Sequence, residues 1–493
     1  SAPLSYAQER LWFLSRMGTV PGTYNIPLAV RLTGPLDAPA LTAALADVVA
    51  RHASLRTVFA EADGLPSQLV LSPEEAAEAG ARMEVVRLPG EDALTGALAA
   101  QAAHPFDLSV EVPLRARLFA LGADTHVLAL TVHHIAADGW SLEPLARDVA
   151  AAYRARLAGG APDWKPLPVQ YADYARWQRE LLGAKGDPDS LIATELAHWR
   201  EALAGLPEEL ELPADFPRPA RAGGRGGSVA RAVPAGTHAR LAELAQRSGA
   251  SLFMTVQAGL AALLTRLGAG SDIPLGSPVA GRTDDAVRDL VGCFVNTLVL
   301  RTDTAGDPTF TELLARVRET DLTAYAHAEL PFEHLVDELK PARSLARQPL
   351  VQVVLAFQNA ADPLPGLEGV TASVEPVPST TAKFDLSFEV TERAAADGGP
   401  GGLEILLEYS EDLFTEATAD RVAQALATLL ISSHVMDEAE RCHRLLLMRE
   451  GEILADGTPE ALRTRTGSET VEAAFLHLVD EAVAAARAKE TTR

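Results

Sequence analysis

The sequence predicts an α/β protein built from two lobes of similar size. Helical and strand-like hydrophobic patterns alternate along the first part of the chain, stop at a segment crowded with proline and glycine, 212–227, and then resume. With 493 residues, the chain is also longer than one hydrophobic core usually covers. Binding sites commonly lie in a cavity between two such lobes, so we expect the functional site there.

The elements before the proline- and glycine-rich segment are predicted from apolar spacings of three and four for helices and from short β-branched runs for strands. These patterns give, in order, helix 7–15, strand 25–32, helix 38–51, strands 56–60 and 68–71, strand 127–132, and helices 140–156 and 190–206. The run 127–132 is apolar and too short for a helix, which indicates a buried strand.

The second lobe repeats the same alternation. Its predicted helices are 237–247, 252–267 and 310–326, and its predicted strands are 272–276, 295–301, 350–356, 384–391 and 403–409. The repetition after a proline- and glycine-rich linker is what indicates two units rather than one extended core.

The most informative motif is the heptad 133–139, with the sequence HHIAADG, at the end of the buried strand. Alternation along a strand sends neighbouring side chains to opposite faces, so one histidine can support the core while the other enters a cavity. A histidine at a cavity wall titrates near neutrality and can bind an attacking amine or take its proton. A lone histidine at a strand end would more often be a core residue, but the whole heptad favours a functional site.

Composition and charge exclude several classes of function. The net charge of −24 and the lack of any basic run argue against a nucleic-acid or anionic-membrane partner. Cys293 and Cys442 are too few for a disulfide framework or a cysteine-based zinc site, so we expect no bound metal. No signal peptide or membrane-spanning run is visible, which together with the cysteine count predicts a cytoplasmic protein.

Further motifs surround the heptad in a fixed order. They are SYAQERLWFL at 5–14, RHASLRTVF at 51–59, YADYARWQ at 171–178, PVAGR at 278–282 with GCFVNT at 292–297, LPFE at 330–333 and PLVQV at 349–353. In this order they resemble the condensation domain of nonribosomal peptide synthetases, over about residues 1–430.

The resemblance implies two chloramphenicol-acetyltransferase-like lobes that form a V-shaped pseudo-dimer with a central tunnel. It also implies peptide-bond formation between a carrier-bound acyl or peptidyl thioester and the amine of a carrier-bound aminoacyl acceptor. The partners would be donor and acceptor peptidyl carrier proteins and an adjacent adenylation domain. No cofactor is expected to be bound; the phosphopantetheine arms of the carriers enter as part of the substrates.

The resemblance assigns roles to six residues. His134 is expected at the reacting centre, as a base or as a group that positions the amine. Five residues would shape the site: Asp138 paired with Arg282 across the lobes, Gly139 allowing close approach, His133 pointing into the sheet, and Arg56. For Arg56, a charge at a strand edge is an equally good interpretation, and for Arg282 a solvated surface residue is the alternative.

Within this family, Gly139 at the end of the heptad and the following Trp140-Ser141 resemble condensation rather than epimerisation-type members. The opening motif most resembles that of domains with an L-configured donor, without excluding a D-donor subtype. A carrier-docking or gating module without catalytic activity is the alternative from another class. We predict lobes at 1–175 and 176–430, followed by a short α/β tail at 431–493. The start at Ser1, close to the opening motif, suggests an excised or split module.

The tail resembles part of an ABC-transporter ATPase. Residues 431–442 look like its switch-histidine segment, with His434 as that histidine, and residues 445–459 look like the hairpin that follows. The phosphate-binding loop and the signature motif of such ATPases occur nowhere in the chain, so we expect no ATP binding.

Overall fold

The computed structural model describes residues 2–17, 20–62, 65–342, 344–359, 366–378, 381–395, 398–432, 445–449, 452–468, 474 and 477–478. Two mixed sheets with helices packed on them form the larger part of these residues. The predicted two-lobe α/β fold is therefore confirmed.

The N-terminal sheet has five strands, and the strand that carries the heptad lies at its centre. In spatial order the strands are Thr371–Val374, Asn25–Thr33, Thr125–His133, Leu114–Ala120 and Met83–Arg87. All neighbours are antiparallel except the last pair, which is parallel. The first strand comes from the second half of the chain, so both halves contribute strands to this sheet. A smaller sheet of Ala2–Pro3, Leu65–Val70 and Thr57–Ala62 completes this lobe.

The C-terminal sheet has six strands. In spatial order they are Asn296–Asp303, Asp272–Val279, Val353–Asn359, Leu386–Ala394, Pro400–Ser410 and Gly226–Val233. Val353–Asn359 is parallel to both of its neighbours, and the other three pairings are antiparallel. Predicted strand 350–356 begins three residues late, because Val351 first forms a turn by donating its N–H to the Pro349 carbonyl at 2.8 Å.

Helices cover both sheets. In chain order they are Tyr6–Arg16, Ala38–Arg51, Pro73–Glu78, Leu94–Ala102, Leu142–Leu157, Tyr171–Leu182, Leu191–Ala202, Ala235–Arg247, Leu252–Arg266, Phe310–Ala326, Phe332–Leu339, Glu416–Ser432 and Pro459–Thr466. Side-chain caps explain several starts: Ser5 Oγ accepts the Gln8 N–H, and Ser251 Oγ accepts the Met254 N–H. In the described part of the chain no single helix is long and apolar enough to cross a membrane, although Ala235–Arg247 and Leu252–Arg266, bent by 102°, pass that test as a pair by length and composition alone.

The lobes meet where residues of the second half enter the first core. Val287, Leu290, Val291, Cys293 and Phe294 are buried together with the side chains of the N-terminal sheet. Helix Tyr171–Leu182 runs through residue 175, where we placed a lobe boundary. The boundaries at residues 175 and 430 remain predictions.

The predicted tail contains an antiparallel hairpin, Leu445–Arg449 with Glu452–Gly457, followed by the short helix Pro459–Thr466. His434 and most of the segment 431–442 lie outside the described residues.

Candidate active site at the lobe junction

The heptad forms a turn between a strand and a helix. The strand Thr125–His133 ends at the first histidine, and Asp138 begins a 3-10 turn, Gly139–Ser141, that leads into the helix Leu142–Leu157. Asp138 caps this turn because its Oδ1 accepts the Ser141 N–H at 2.9 Å. The sequence thereby fixes both histidines at the carboxyl end of a buried strand.

The two histidines contact different parts of the molecule, as the alternation predicts. His133 is buried, its Nδ1 accepts the Ile135 N–H at 3.2 Å, and its ring packs edge-to-face on Phe106 with centroids 6.0 Å apart. His134 is half-buried, and its Nδ1 lies 4.0 Å from the Sγ of Cys293. His133 is therefore held within the first lobe, while His134 faces the second half of the chain.

Burial keeps both imidazoles neutral. It lowers the pKa of His133 to about 3 and that of His134 to about 3, with the positive charge of Lys383 acting in the same direction. At neutral pH, His134 can therefore accept a hydrogen bond from an amine, but it is a weak base. In this electrostatic environment, His134 is better suited to position the amine by a hydrogen bond than to accept its proton.

Asp138 and Arg282 form a buried ion pair between the two halves of the chain. Arg282 Nη2 lies 3.2 Å from Asp138 Oδ1, and both side chains are less than a tenth exposed. The other carboxylate oxygen accepts the Phe294 N–H at 2.9 Å. Arg282 also donates to the carbonyls of Val287 and Leu290, each at 2.8 Å. The alternative of a solvated surface arginine is thus wrong for Arg282.

Segment 292–294 fits closely against the heptad turn. Gly292 donates its N–H to Ser141 Oγ at 3.1 Å, and a Cβ on this glycine would lie 2.2 Å from Cδ2 of Tyr171. Since that distance is impossible for a real contact, glycine is required here. A Cβ on Gly139, by contrast, would meet nothing within 4 Å, so packing does not explain this glycine and its predicted role in close approach remains a prediction.

Arg56 lies apart from the cluster. Its guanidinium donates through Nη1 to the Leu71 carbonyl, and burial lowers its pKa. Among the described contacts, no hydrogen bond or ion pair joins Arg56 to the heptad. The structure therefore favours a strand-edge contact over a site neighbour for this residue.

Two cavities lie close to the heptad, and each is lined by a residue that contacts His134. The first, of about 180 Å³, is lined by Cys293, whose sulfur faces the His134 ring, and by Glu333. The second, of about 380 Å³, is lined by Tyr24 and Lys383. The Tyr24 carbonyl accepts the backbone N–H of His134 at 2.7 Å.

Sequence reasoning missed Lys383. Its Nζ lies 5.4 Å from the ring centre of Tyr24, on the wall of the second cavity. The available signal was a lone lysine directly before an apolar strand, where a charge is unusual. Arg10 and Glu333, which lie in the quoted motifs, form an ion pair at 3.4 Å near the first cavity.

Comparison with known proteins identifies the family. The model of the condensation domain family matches residues 1–452, which is most of the chain. The chain is a condensation domain. Members of this family form amide bonds in nonribosomal peptide synthesis, an acyltransferase-type reaction.

Three relatives define the similarity. A dimodular nonribosomal peptide synthase of Bacillus subtilis (strain 168) is 53% identical over 428 residues, which are 87% of this chain and 18% of that protein. CymA of Salinispora arenicola (strain CNS-205), a probable non-canonical nonribosomal peptide synthetase, is 51% identical over 450 residues, or 91% of this chain and 6% of that protein. The X-domain in its complex with OxyB from teicoplanin biosynthesis is 39% identical with a TM-score of 0.80, covering 87% of this chain and 92% of the X-domain chain. The chain thus spans less than a fifth of the two curated synthetases.

The similarity bears on two predictions. The two-lobe fold expected from the resemblance to condensation domains is confirmed, since that fold is shared with the solved X-domain. The family match runs to residue 452 and so enters the segment that we assigned to an ABC-ATPase-like tail from residue 431. None of these matches supports an ATPase fragment.

Proposed function

We propose that this condensation domain joins a donor acyl or peptidyl thioester to the amine of an aminoacyl thioester at His134. The observation that carries the proposal is the Asp138–Arg282 pair, which fixes the heptad across the lobes with His134 in contact with Cys293 on the wall of the first cavity. Both substrates would arrive on the phosphopantetheine arms of peptidyl carrier proteins, and an adenylation domain elsewhere would load them.

In this reaction the amine nitrogen bonds to the thioester carbon and the carbon–sulfur bond breaks. One proton leaves the nitrogen, and the departing sulfur is released as a thiol. His134 would hold the neutral amine through a hydrogen bond, with most of the rate gain coming from the orientation of two reactants in one site. His133 would stiffen the turn from the core side, and Asp138, Arg282 and Gly139 would shape the space around the reacting atoms.

The test uses two soluble carrier proteins with the purified chain. The donor carrier is loaded in turn with each standard L-amino acid, the acceptor carrier with glycine, and the acceptor is then weighed by intact mass spectrometry. A mass gain of one aminoacyl residue, dependent on the chain, is expected for at least one donor. No gain with any donor, while the chain is folded and the carriers remain loaded, would contradict the proposal.

We further propose an L-configured donor, supported by the opening motif at 5–14 and by Tyr24-Asn25-Ile26-Pro27. Donor carriers loaded with the L- and D-forms of the best donor test this stereochemistry. Faster transfer of the D-form would indicate the D-donor subtype.

A second candidate function is docking of a partner without turnover. It is supported by the 39% identity to an X-domain whose solved structure is a complex with OxyB. Tight binding of a carrier or another protein together with no amide product from any donor would favour this alternative. The complete heptad, with His134 in contact with Cys293 at the lobe junction, favours catalysis.

We also propose that the predicted tail, 431–493, is dispensable for condensation beyond the end of the helix Glu416–Ser432. The described hairpin and helix of this segment follow the C-terminal helix Glu416–Ser432, whose Leu426 and Leu430 belong to the core of the second lobe. A chain ending at residue 432 is expected to condense at an unchanged rate, and the full chain is expected to give no heat of ATP binding in titration calorimetry. Loss of condensation, or micromolar ATP binding, would contradict this.

A further inference from the structure

Segment 291–294, from the second half of the chain, lies against the heptad. Side chains from the first half of the chain form hydrogen bonds with the backbone of all four residues. Within the segment, the Sγ of Cys293 lies 4.0 Å from Nδ1 of His134, and Phe294 donates its N–H to Asp138. The position of the segment therefore decides which groups face the imidazole and the heptad turn.

His52 and Ser54, two residues of the motif at 51–59, hold both backbone groups of Val291, where the segment begins. The Val291 N–H donates to Nδ1 of His52 at 3.3 Å, and the Ser54 hydroxyl donates to the Val291 carbonyl at 2.6 Å. His52, Ser54 and Val291 are all buried. Loss of the histidine acceptor would leave the Val291 N–H buried without this partner, which is costly.

Asp148 fixes which ring nitrogen of His52 carries the proton. Its Oδ2 lies 2.9 Å from His52 Nε2 and also accepts a hydrogen bond from Arg51 Nε at 2.8 Å. A carboxylate can only accept, so Nε2 carries the hydrogen and Nδ1 keeps the lone pair that accepts the Val291 N–H. Burial lowers the pKa of His52, although Asp148 acts against this effect, so the ring is neutral at neutral pH.

We infer that His52 is a positioning residue: by accepting the Val291 N–H, it keeps segment 291–294 seated against the heptad. The catalytic consequence rests on the proposed function, because the segment supplies Cys293 and Phe294 to the wall of the first cavity. Displacing groups around the reacting atoms slows the bound complex, so loss of the bond should lower kcat and leave the KM for the acceptor carrier unchanged.

Two substitutions of His52 separate the roles of its ring nitrogens. His52→Asn keeps an oxygen at the place of Nδ1, so it can still accept the Val291 N–H. His52→Gln keeps a nitrogen at the place of Nε2, so it can still donate to Asp148 but leaves Val291 without its acceptor. Packing alone would predict that asparagine is the more harmful residue, because glutamine fills more of the space of the imidazole.

The chain also offers a matched control and a second perturbation. His238 is fully buried in the second lobe, where its Nδ1 accepts the Gly402 N–H at 3.2 Å and its Nε2 lies 3.0 Å from Glu392 Oε1. His238→Gln therefore removes the same kind of hydrogen bond from another part of the fold. Ser54→Ala removes the other hydrogen bond to Val291.

Two measurements are made on each variant. All variants and the parent chain carry Cys442→Ser, which leaves Cys293 as the one cysteine. The rate of Cys293 alkylation by iodoacetamide at pH 8, followed by intact mass, reports displacement of segment 291–294 without any need for turnover. The carrier assay then gives kcat and the KM for the acceptor carrier, and urea unfolding verifies that each variant is folded.

We expect His52→Gln to raise the alkylation rate about tenfold and to lower kcat about tenfold, with an unchanged KM. Ser54→Ala should change both rates in the same directions. His52→Asn and His238→Gln should stay within about threefold of the parent chain in both rates.

Two results would overturn the inference. Equal effects of His52→Asn and His52→Gln, or a larger effect of His52→Asn, would show that His52 serves packing or its contact with Asp148. Parent-like alkylation and kcat in folded His52→Gln would show that the segment does not depend on this bond. If His52→Gln does not fold, Ser54→Ala decides by the same two rates. If the parent chain forms no amide with any donor, the proposed function fails, while the alkylation rates still decide whether His52 holds the segment.

Discussion

Asp138 at the lobe junction and Asp321 inside the second lobe are both fully buried, yet their surroundings are opposite. Asp138 accepts hydrogen bonds on both oxygens and pairs with Arg282. Asp321, on helix Phe310–Ala326, accepts one hydrogen bond from Gln257 Nε2 at 2.9 Å, and its Oδ2 is a buried atom with no partner among the described residues. The two sites show that burial alone does not decide how a carboxyl group contributes to the fold.

The difference in hydrogen-bond partners determines which charge state each carboxyl group can hold. The backbone and hydroxyl donors and the arginine around Asp138 suit a carboxylate, which can only accept. Burial raises the pKa of Asp321 to about 7, and Gln257 Oε1 is also a buried atom without a partner among the described residues. A proton on Asp321 Oδ2 could be donated to that oxygen, so we expect an acid–amide pair in which both groups are satisfied.

The largest expected effect is that of Asp138→Asn. An amide nitrogen would face the Ser141 or Phe294 N–H, and Arg282 would lose its counter-charge while staying buried, so we expect the free energy of unfolding to fall by about 3 kcal/mol. Urea unfolding at pH 8 measures this, and condensation should fall strongly as well. A variant as stable as the unmodified chain would show that the pair does not hold the lobes together.

A double-mutant cycle sharpens this prediction. Asp138→Asn and Arg282→Ala remove one shared interaction, so the double variant should cost little more than the worse single variant. Additive losses in the free energy of unfolding would mean that the two side chains act independently.

Replacing Asp321 with asparagine should have the opposite effect on the free energy of unfolding. The introduced side-chain amide would still pair with Gln257 but would carry no buried charge, so Asp321→Asn is expected to raise the free energy of unfolding at pH 8 by about 1 to 3 kcal/mol. The measurement is urea unfolding, with Asp337→Asn on the partly exposed neighbouring helix as a control. Destabilisation at pH 8 would show that the ionised carboxylate is tolerated in this core.

The smallest expected effect is a change in the pH dependence of stability. The folded pKa of Asp321 lies above its unfolded value of about 3.8, so its contribution to stability is lost as pH rises toward 7. The folded pKa of His133, about 3, lies below its unfolded value of about 6.5, so its contribution is lost as pH falls below 6.5. Between about pH 3.8 and pH 6.5, the contribution of Asp321 to stability falls as pH rises, while that of His133 increases.

Asp321→Asn should therefore steepen the rise of stability with pH between 5.5 and 6.5, by about 1 kcal/mol per pH unit. Urea titrations at three pH values within this interval measure the slope. An unchanged slope would mean that Asp321 does not bind a proton in the folded protein.

The sequence predicts the parts of this account that depend on local patterns. Strand Thr125–His133, the turn at Asp138 and the contact with Arg282 follow from the apolar run, the heptad and the family motifs. The strand Thr371–Val374, which joins the first lobe's sheet from the second half of the chain, was not predicted, because its pairing depends on contacts between residues far apart in sequence. Asp321 was missed for the same reason: nothing in its local sequence shows that distant segments bury it.

The central claim is that His134 is the reacting centre, and one measurement tests it most directly. The rate of amide formation in the carrier assay is compared for the unmodified chain, His134→Ala and His126→Ala, a control on the same strand. Loss of the imidazole that positions the amine or takes its proton predicts a rate about 100- to 10,000-fold lower for His134→Ala and a near-normal rate for the control. A folded His134→Ala variant that condenses at close to the normal rate would contradict the account.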